Sequence, residues 1–123
     1  MITIAFLLRR RADVDEAEFH RYWRDDHGPL VVSHKQALGI ARYVQLHSLD
    51  PAMSELLRAS RDCEATHYDG IALVSFESVE SLVAATSSPE GRAAVAALLD
   101  DERRFIDLSQ SVIWLTEDAL FVG

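Results

Sequence analysis

The run Ile2–Leu8 is apolar on both alternating parities: Ile2, Ile4, Phe6 and Leu8 on one, Ala5 and Leu7 on the other. A strand of this kind is covered on both faces. The helices of one small domain can cover one face. The other face then needs a second layer, which points to a partner copy. The period changes after Asp15. At 100° per residue, Phe19, Trp23 and His27 fall at about 0°, 40° and 80°, while Arg21, Arg24 and Asp25 lie on the opposite side. Asp15 is placed to cap this segment, with Glu18 completing a capping box. Gly28 reads as a left-handed stop and Pro29 as a bar to continuation. The pattern predicts a helix over 16–27 with one aromatic and imidazole face. It puts His27 in the last turn, where the helix dipole favours a charged ring.

Leu30–Leu38 can form a second short helix, and Gly39 then punctuates. Residues 40–48 alternate, with Ile40, Val44 and Leu46 on one parity and Tyr43, Gln45 and His47 on the other. If the apolar parity packs on helices, the polar stripe faces away from them, toward whatever closes the far side. Asp50-Pro51 starts a helix to about Arg61, and residues 62–68 form a loop. Strands are expected at about 71–76 and 111–116. Ser78 and Ser88-Pro89 open a short and a long helix between them, the second running to about Phe105 or Ile106. The order is β-α-β-β-α-β with an extra helix before the third strand. It predicts one α+β domain over residues 1–123: a ferredoxin-like sandwich, helices on one face, whose bare face pairs with a second copy into a dimeric barrel. Leu120, Phe121 and Val122 in the tail should bury somewhere, a partner surface being one such place.

The segment FHRYWRDDHGPL resembles the signature of the EthD family. Three further matches follow in the same order: RYVQLH at 42–47, YDGIALVSF at 68–76 and SPEGRAAVAALLDDERRFIDLSQSVIWLTE at 88–117. Together they span nearly the whole chain. The resemblance implies a ferredoxin-like subunit in a dimeric α+β barrel. It does not fix the reaction, because the superfamily hosts isomerases, dehydratases, monooxygenases and haem enzymes. Haem held by an axial His stays among the options it implies.

Charge and cysteine usage narrow the partners. The net charge of −8 argues against nucleic acid and anionic membrane, which are bound through basic patches. The one local basic run, Arg9-Arg10-Arg11, reads as a strand end in solvent. A single cysteine, Cys63, allows no intrachain disulfide and fits a reducing compartment. The apolar start is short, with its charges on the wrong side for a secretion signal. No run has the length of a membrane span. The expectation is a cytoplasmic protein acting on a small molecule.

The chemistry follows by elimination and by residue type. His20, His27 and His34 are seven apart, about 10.5 Å per step along a helix, too far to share a metal. No HExxH or cysteine cluster is present, so no metal site is expected. The five glycines are scattered, and neither GxGxxG nor a P-loop can be written, so no cofactor is expected either. No serine lies in a GxSxG turn, and Cys63 has no base beside it in sequence. General acid–base chemistry fits best. His27, Tyr43 and His47 are the candidate catalytic residues, His27 as acid/base and the other two polarising or orienting the substrate. Trp23 and Trp114 would form walls for a flat oxygenated molecule, with Asp69 at the entrance to the site. This implies an isomerase, dehydratase or cyclase acting on an aromatic or polyketide-like substrate. An oxidoreductase role beside a monooxygenase system and a non-catalytic ligand-binding module are the alternatives.

Overall fold

The computed structural model describes all 123 residues, Met1–Gly123. Four strands form one antiparallel sheet: β1 (Ile2–Leu8), β2 (Arg42–His47), β3 (Gly70–Phe76) and β4 (Val112–Glu117), in the spatial order β2-β3-β1-β4. The register sets Ile4 opposite Val74 and Leu115, Phe6 opposite Ala72 and Ile113, and Tyr43 opposite Val74. Helices α1 (Glu16–Tyr22), α2 (Gly28–Ser33), α3 (Lys35–Leu38), α5 (Val79–Ser87) and α6 (Pro89–Glu102) make the second layer. The inserted helix α4 (Pro51–Ser60) precedes β3, as the sequence predicts. The result is the ferredoxin-like α+β sandwich. The compact core joins Leu8 and Ala72 of the sheet to Phe19, Trp23, Phe105 and Ile106. No helix is long and apolar enough to cross a membrane.

The first helix departs from expectation where it matters most. It does not stop at Gly28. Residues Trp23–His27 form one widened π turn, and the chain runs straight on into α2. Gly28 has φ −54°, ordinary right-handed helix, and its N–H reaches back five residues to the Trp23 carbonyl. The physical reason is Pro29. Its ring would strike the carbonyl four residues back in a regular helix, and it has no N–H to give. Opening the turn by one residue relieves the clash, and Pro29 then sits in the first turn of a new segment, where the missing N–H is harmless. The left-handed stop falls instead at Gly39, φ 67°. His27 is therefore mid-helix, not C-terminal, and the dipole argument for its charge does not apply. Asp15 does cap α1 through the Glu18 N–H, but the Glu18 carboxylate turns to Arg21 rather than closing the box.

Strand β2 departs from expectation as well. Tyr43, Gln45 and His47 face the helices, and Val44 and Leu46 face the open side. Gln45 bonds the Trp23 backbone, His47 stacks on Trp23, and Tyr43 packs against the core. The polar stripe lies under the helix layer, not away from it. The open face carries Leu46, Val112 and Trp114 with 43%, 41% and 49% of their surface in solvent, an apolar surface with nothing of this chain over it. On α4, Met53, Leu56 and Leu57 are exposed, as are Leu120, Phe121 and Val122 of the tail.

Candidate functional site

Between the sheet and the helix layer lies a cavity of about 300 Å³, lined mainly by aliphatic and aromatic side chains of β1, β3, α2, α3, α5 and α6. Three of its lining residues carry titratable groups: His27, Tyr43 and Glu102. Trp23 forms part of the wall and is 1% exposed. Its indole can come this close to β3 because residue 70 is a glycine. A Cβ there would come within 2.5 Å of the Trp23 ring and 2.7 Å of the Leu46 carbonyl.

His27 is held by Asp101. The imidazole Nδ1 is 2.8 Å from the Asp101 carboxylate, which also accepts the Tyr22 hydroxyl at 2.6 Å. The carboxylate can only accept, so Nδ1 carries the hydrogen and Nε2 is the bare nitrogen. That atom has no partner in the chain. Burial pushes the His27 pKa down, and the hydrogen bond and charge of Asp101 pull it part of the way back. The ring is thus a neutral base near pH 7, oriented from behind. The same environment drives the Tyr22 hydroxyl up to about 12, through burial first and Asp101 second.

Tyr43 is held differently. The Gln45 amide nitrogen donates to the Tyr43 oxygen at 2.7 Å and to the Trp23 carbonyl at 2.8 Å. A backbone carbonyl only accepts, so the amide orientation is fixed, and the phenolic hydrogen is free for the cavity. Burial raises the Tyr43 pKa, opposed by the donors Gln45 and Trp23. The other end of the amide, its oxygen, takes the Nε2 hydrogen of His47 at 2.8 Å. His47 Nδ1 is then bare and receives Nδ1–H from His20 at 2.7 Å, leaving His20 Nε2 buried without a partner. Gly28 makes room for this array: a Cβ there would stand 3.1 Å from the Gln45 amide nitrogen.

The structure brings His27, Tyr43 and Trp23 to one cavity. His47 is not on its wall; it stands behind, bonded to Gln45 and stacked on Trp23 at 4.3 Å between ring centroids. Its pKa is lowered, first by burial, then by the His20 and Arg24 charges. Asp69 lies outside the cavity. It accepts the Arg10 backbone N–H at 2.8 Å and pairs with its guanidinium at 3.5 Å, tying the end of β1 to the start of β3. Trp114 is on the opposite face, beside Ala5 in the ladder, and lines nothing here. Asp101 and Glu102 look like members of a solvated charged turn in the sequence. The missed signal is helical spacing: Val95, Leu98, Glu102 and Ile106 form one stripe along the cavity, and Asp101 follows Leu98 by three. Among groups of histidine, cysteine and acidic side chains, none of three or more could hold a metal ion.

The model of the EthD domain matches residues 11–109. The chain belongs to the EthD family. A comparison with curated proteins finds no match. Among solved structures, an EthD (ethyl tert-butyl ether d) family protein of Bacillus halodurans C-125 superposes with a TM-score of 0.62 at 16% identity, covering 97% of this chain and 100% of its own. An EthD-like protein of Ralstonia eutropha JMP134 gives 0.57 at 18%, covering 94% and 90%. SnoaB, a cofactor-independent oxygenase from Streptomyces nogalater, gives 0.56 at 12%, covering 98% and 95%. At such identities the structural likeness speaks for the fold, which the EthD chain shares with all three.

Proposed function

We propose that this EthD chain is a small-molecule enzyme that moves protons on an aromatic or polyketide-like substrate, as an isomerase, dehydratase or cyclase. The supporting observation is the pairing, in one apolar cavity, of a bare imidazole nitrogen backed by Asp101 with a phenol whose hydrogen is free. His27 Nε2 takes a proton from the carbon beside a substrate carbonyl. Tyr43 donates its hydrogen to the carbonyl oxygen as charge develops there. The same nitrogen returns the proton at a second position or delivers it to a leaving hydroxyl. A positioned base contributes about 10²–10⁴-fold, and one well-aimed oxyanion donor about 10²–10³-fold. A cavity of about 150 Å³ holds one benzene. At about 300 Å³, two fused rings fit.

The open sheet face supports the pairing of two copies. Its exposed Leu46, Val112 and Trp114 form an apolar surface of the kind that marks a protein contact. Light scattering should give a particle of twice 13.8 kDa; a lone chain at micromolar concentration overturns the pairing.

The test of the chemistry is deuterium uptake. A panel of bicyclic aromatic ketones and 1,3-diketones is incubated in D2O with the protein, and loss of α-protons is followed by NMR. The wild-type chain should speed exchange of at least one class, and His27→Ala should fall to the buffer rate. A His27→Ala variant that exchanges as fast as wild type removes the assignment. A second reading shares the first step: the carbanion made by His27 meets dioxygen instead of a proton. The resemblance in fold to SnoaB, named as a cofactor-independent oxygenase, favours keeping it. Oxygen uptake with quinols and phenols of two or three rings separates the two.

A further inference from the structure

The proton chemistry proposed above uses His27 and Tyr43 and leaves Glu102 unassigned. Glu102 closes α6, and its side chain lines the cavity. Its carboxyl makes no hydrogen bond and no ion pair within the chain, whereas that of its neighbour Asp101 is engaged by Tyr22, His27 and Arg104. No lysine or arginine lines the cavity. The two cations that follow it along the chain, Arg103 and Arg104, are both exposed, and Arg104, with 73% of its side chain in solvent, is turned to Asp101. The cavity therefore holds one lone carboxyl, a second carboxylate behind His27 whose cationic partner Arg104 stands in solvent, and no positive side chain on its wall.

We propose that Glu102 sets the charge of the ligand: the cavity takes uncharged, oxygen-bearing molecules of about two fused rings and rejects the matching carboxylates. This deepens the reading of the cavity as a substrate chamber and rests on it. In an apolar, poorly solvated space, like charges repel far more strongly than in water, and the wall carries no counter-charge. An anionic ligand has to sit beside Glu102 with Asp101 close behind. A neutral ligand meets no such penalty and finds a partner in either state of the carboxyl. The acid form donates to a ligand carbonyl, and the carboxylate accepts from a ligand hydroxyl or amide. Burial, with the Asp101 charge adding to it, raises the Glu102 pKa to about 7, so both forms are present near neutrality.

The probes are 2-naphthamide and 2-naphthoate, the same shape differing by one charge, titrated calorimetrically into the full chain at pH 8. Wild type is expected to bind the amide at least 30-fold more tightly than the carboxylate. In Glu102→Gln the gap should shrink below 5-fold, with amide affinity within 3-fold of wild type. Glu102→Leu, which keeps the wall apolar, serves as the second variant if the first does not fold, and the same narrowing is expected. Equal binding of the two probes by wild type overturns the inference, as does a gap that survives both substitutions. In those outcomes the amide still binds, so the chamber itself stands. If the amide fails to bind wild type at all, the chamber reading falls and this inference with it.

Discussion

The two faces of one sheet are built to opposite plans. Under the helices, β2 presents Tyr43, Gln45 and His47, each bonded to something fixed, and β1 and β3 present apolar walls around a cavity. On the far side, β2 presents Val44 and Leu46, and β4 adds Val112 and Trp114 to a half-exposed apolar surface. Along β2 the polar side chains lie where solvent is excluded, and the apolar ones lie where this chain leaves the sheet open. The lesson is that polar residues on a strand do not mark its wet side. Hydrogen-bond partners on the packed side can make them cheaper to bury than to leave outside.

That contrast can be broken from the helix side first. Asp101→Asn should reduce deuterium exchange by about 10²–10³-fold, because the amide can present N–H to His27 and reverse its tautomer. The His27 titration, followed by NMR, should also fall, since the Asp101 charge raises that pKa. An unchanged rate would mean that His27 needs no support. From the open side, Trp114→Asp should weaken self-association roughly 100-fold, as loss of a large aromatic anchor at an interface does, while its core melts as before. Dilution-series light scattering reads this, and a pair that survives would place the contact elsewhere.

Between the faces, Gly70→Ala forces a methyl into the Trp23 ring and the Leu46 carbonyl. About 2–3 kcal/mol of stability should be lost in urea unfolding. The smallest expected effect tests the price of the lone carboxyl. Folded, Glu102 keeps its proton to about pH 7; unfolded, only to about 4.5. Between those values the folded state holds more protons, so stability falls as pH rises through the window. Glu102→Gln should therefore stabilise the chain at pH 8 by about 1–3 kcal/mol and by nearly nothing at pH 4. His27, with its pKa lowered, gives the opposite slope and should keep it in the variant. Equal effects at both pH values would refute the shift.

The order of the elements, the inserted helix and the shared face of Phe19, Trp23 and His27 are legible in the sequence, because periodicity reports which residues share a face. Periodicity does not report which face the helices will cover, and that is why the β2 stripe reads as facing the open side when it lies under the helices. The Gly28-Pro29 pair shows a second limit. Local rules allow it to end a helix or to begin one, and the choice went to tertiary packing, which holds the Trp23 carbonyl beside Gln45. Asp101 and Glu102 are hidden by their neighbours: in a run reading DDERR, two carboxylates facing inward look the same as five charges facing water.

The widened turn has a consequence that reaches well beyond helix geometry. Its Trp23 oxygen is the one group in the array that can never donate, so it dictates which way the Gln45 amide lies. Remove that oxygen from reach, and the amide is free to rotate half a turn. Gln45 would then offer Tyr43 an acceptor, the phenol would spend its hydrogen inward, and the cavity would lose its donor without a single residue having changed.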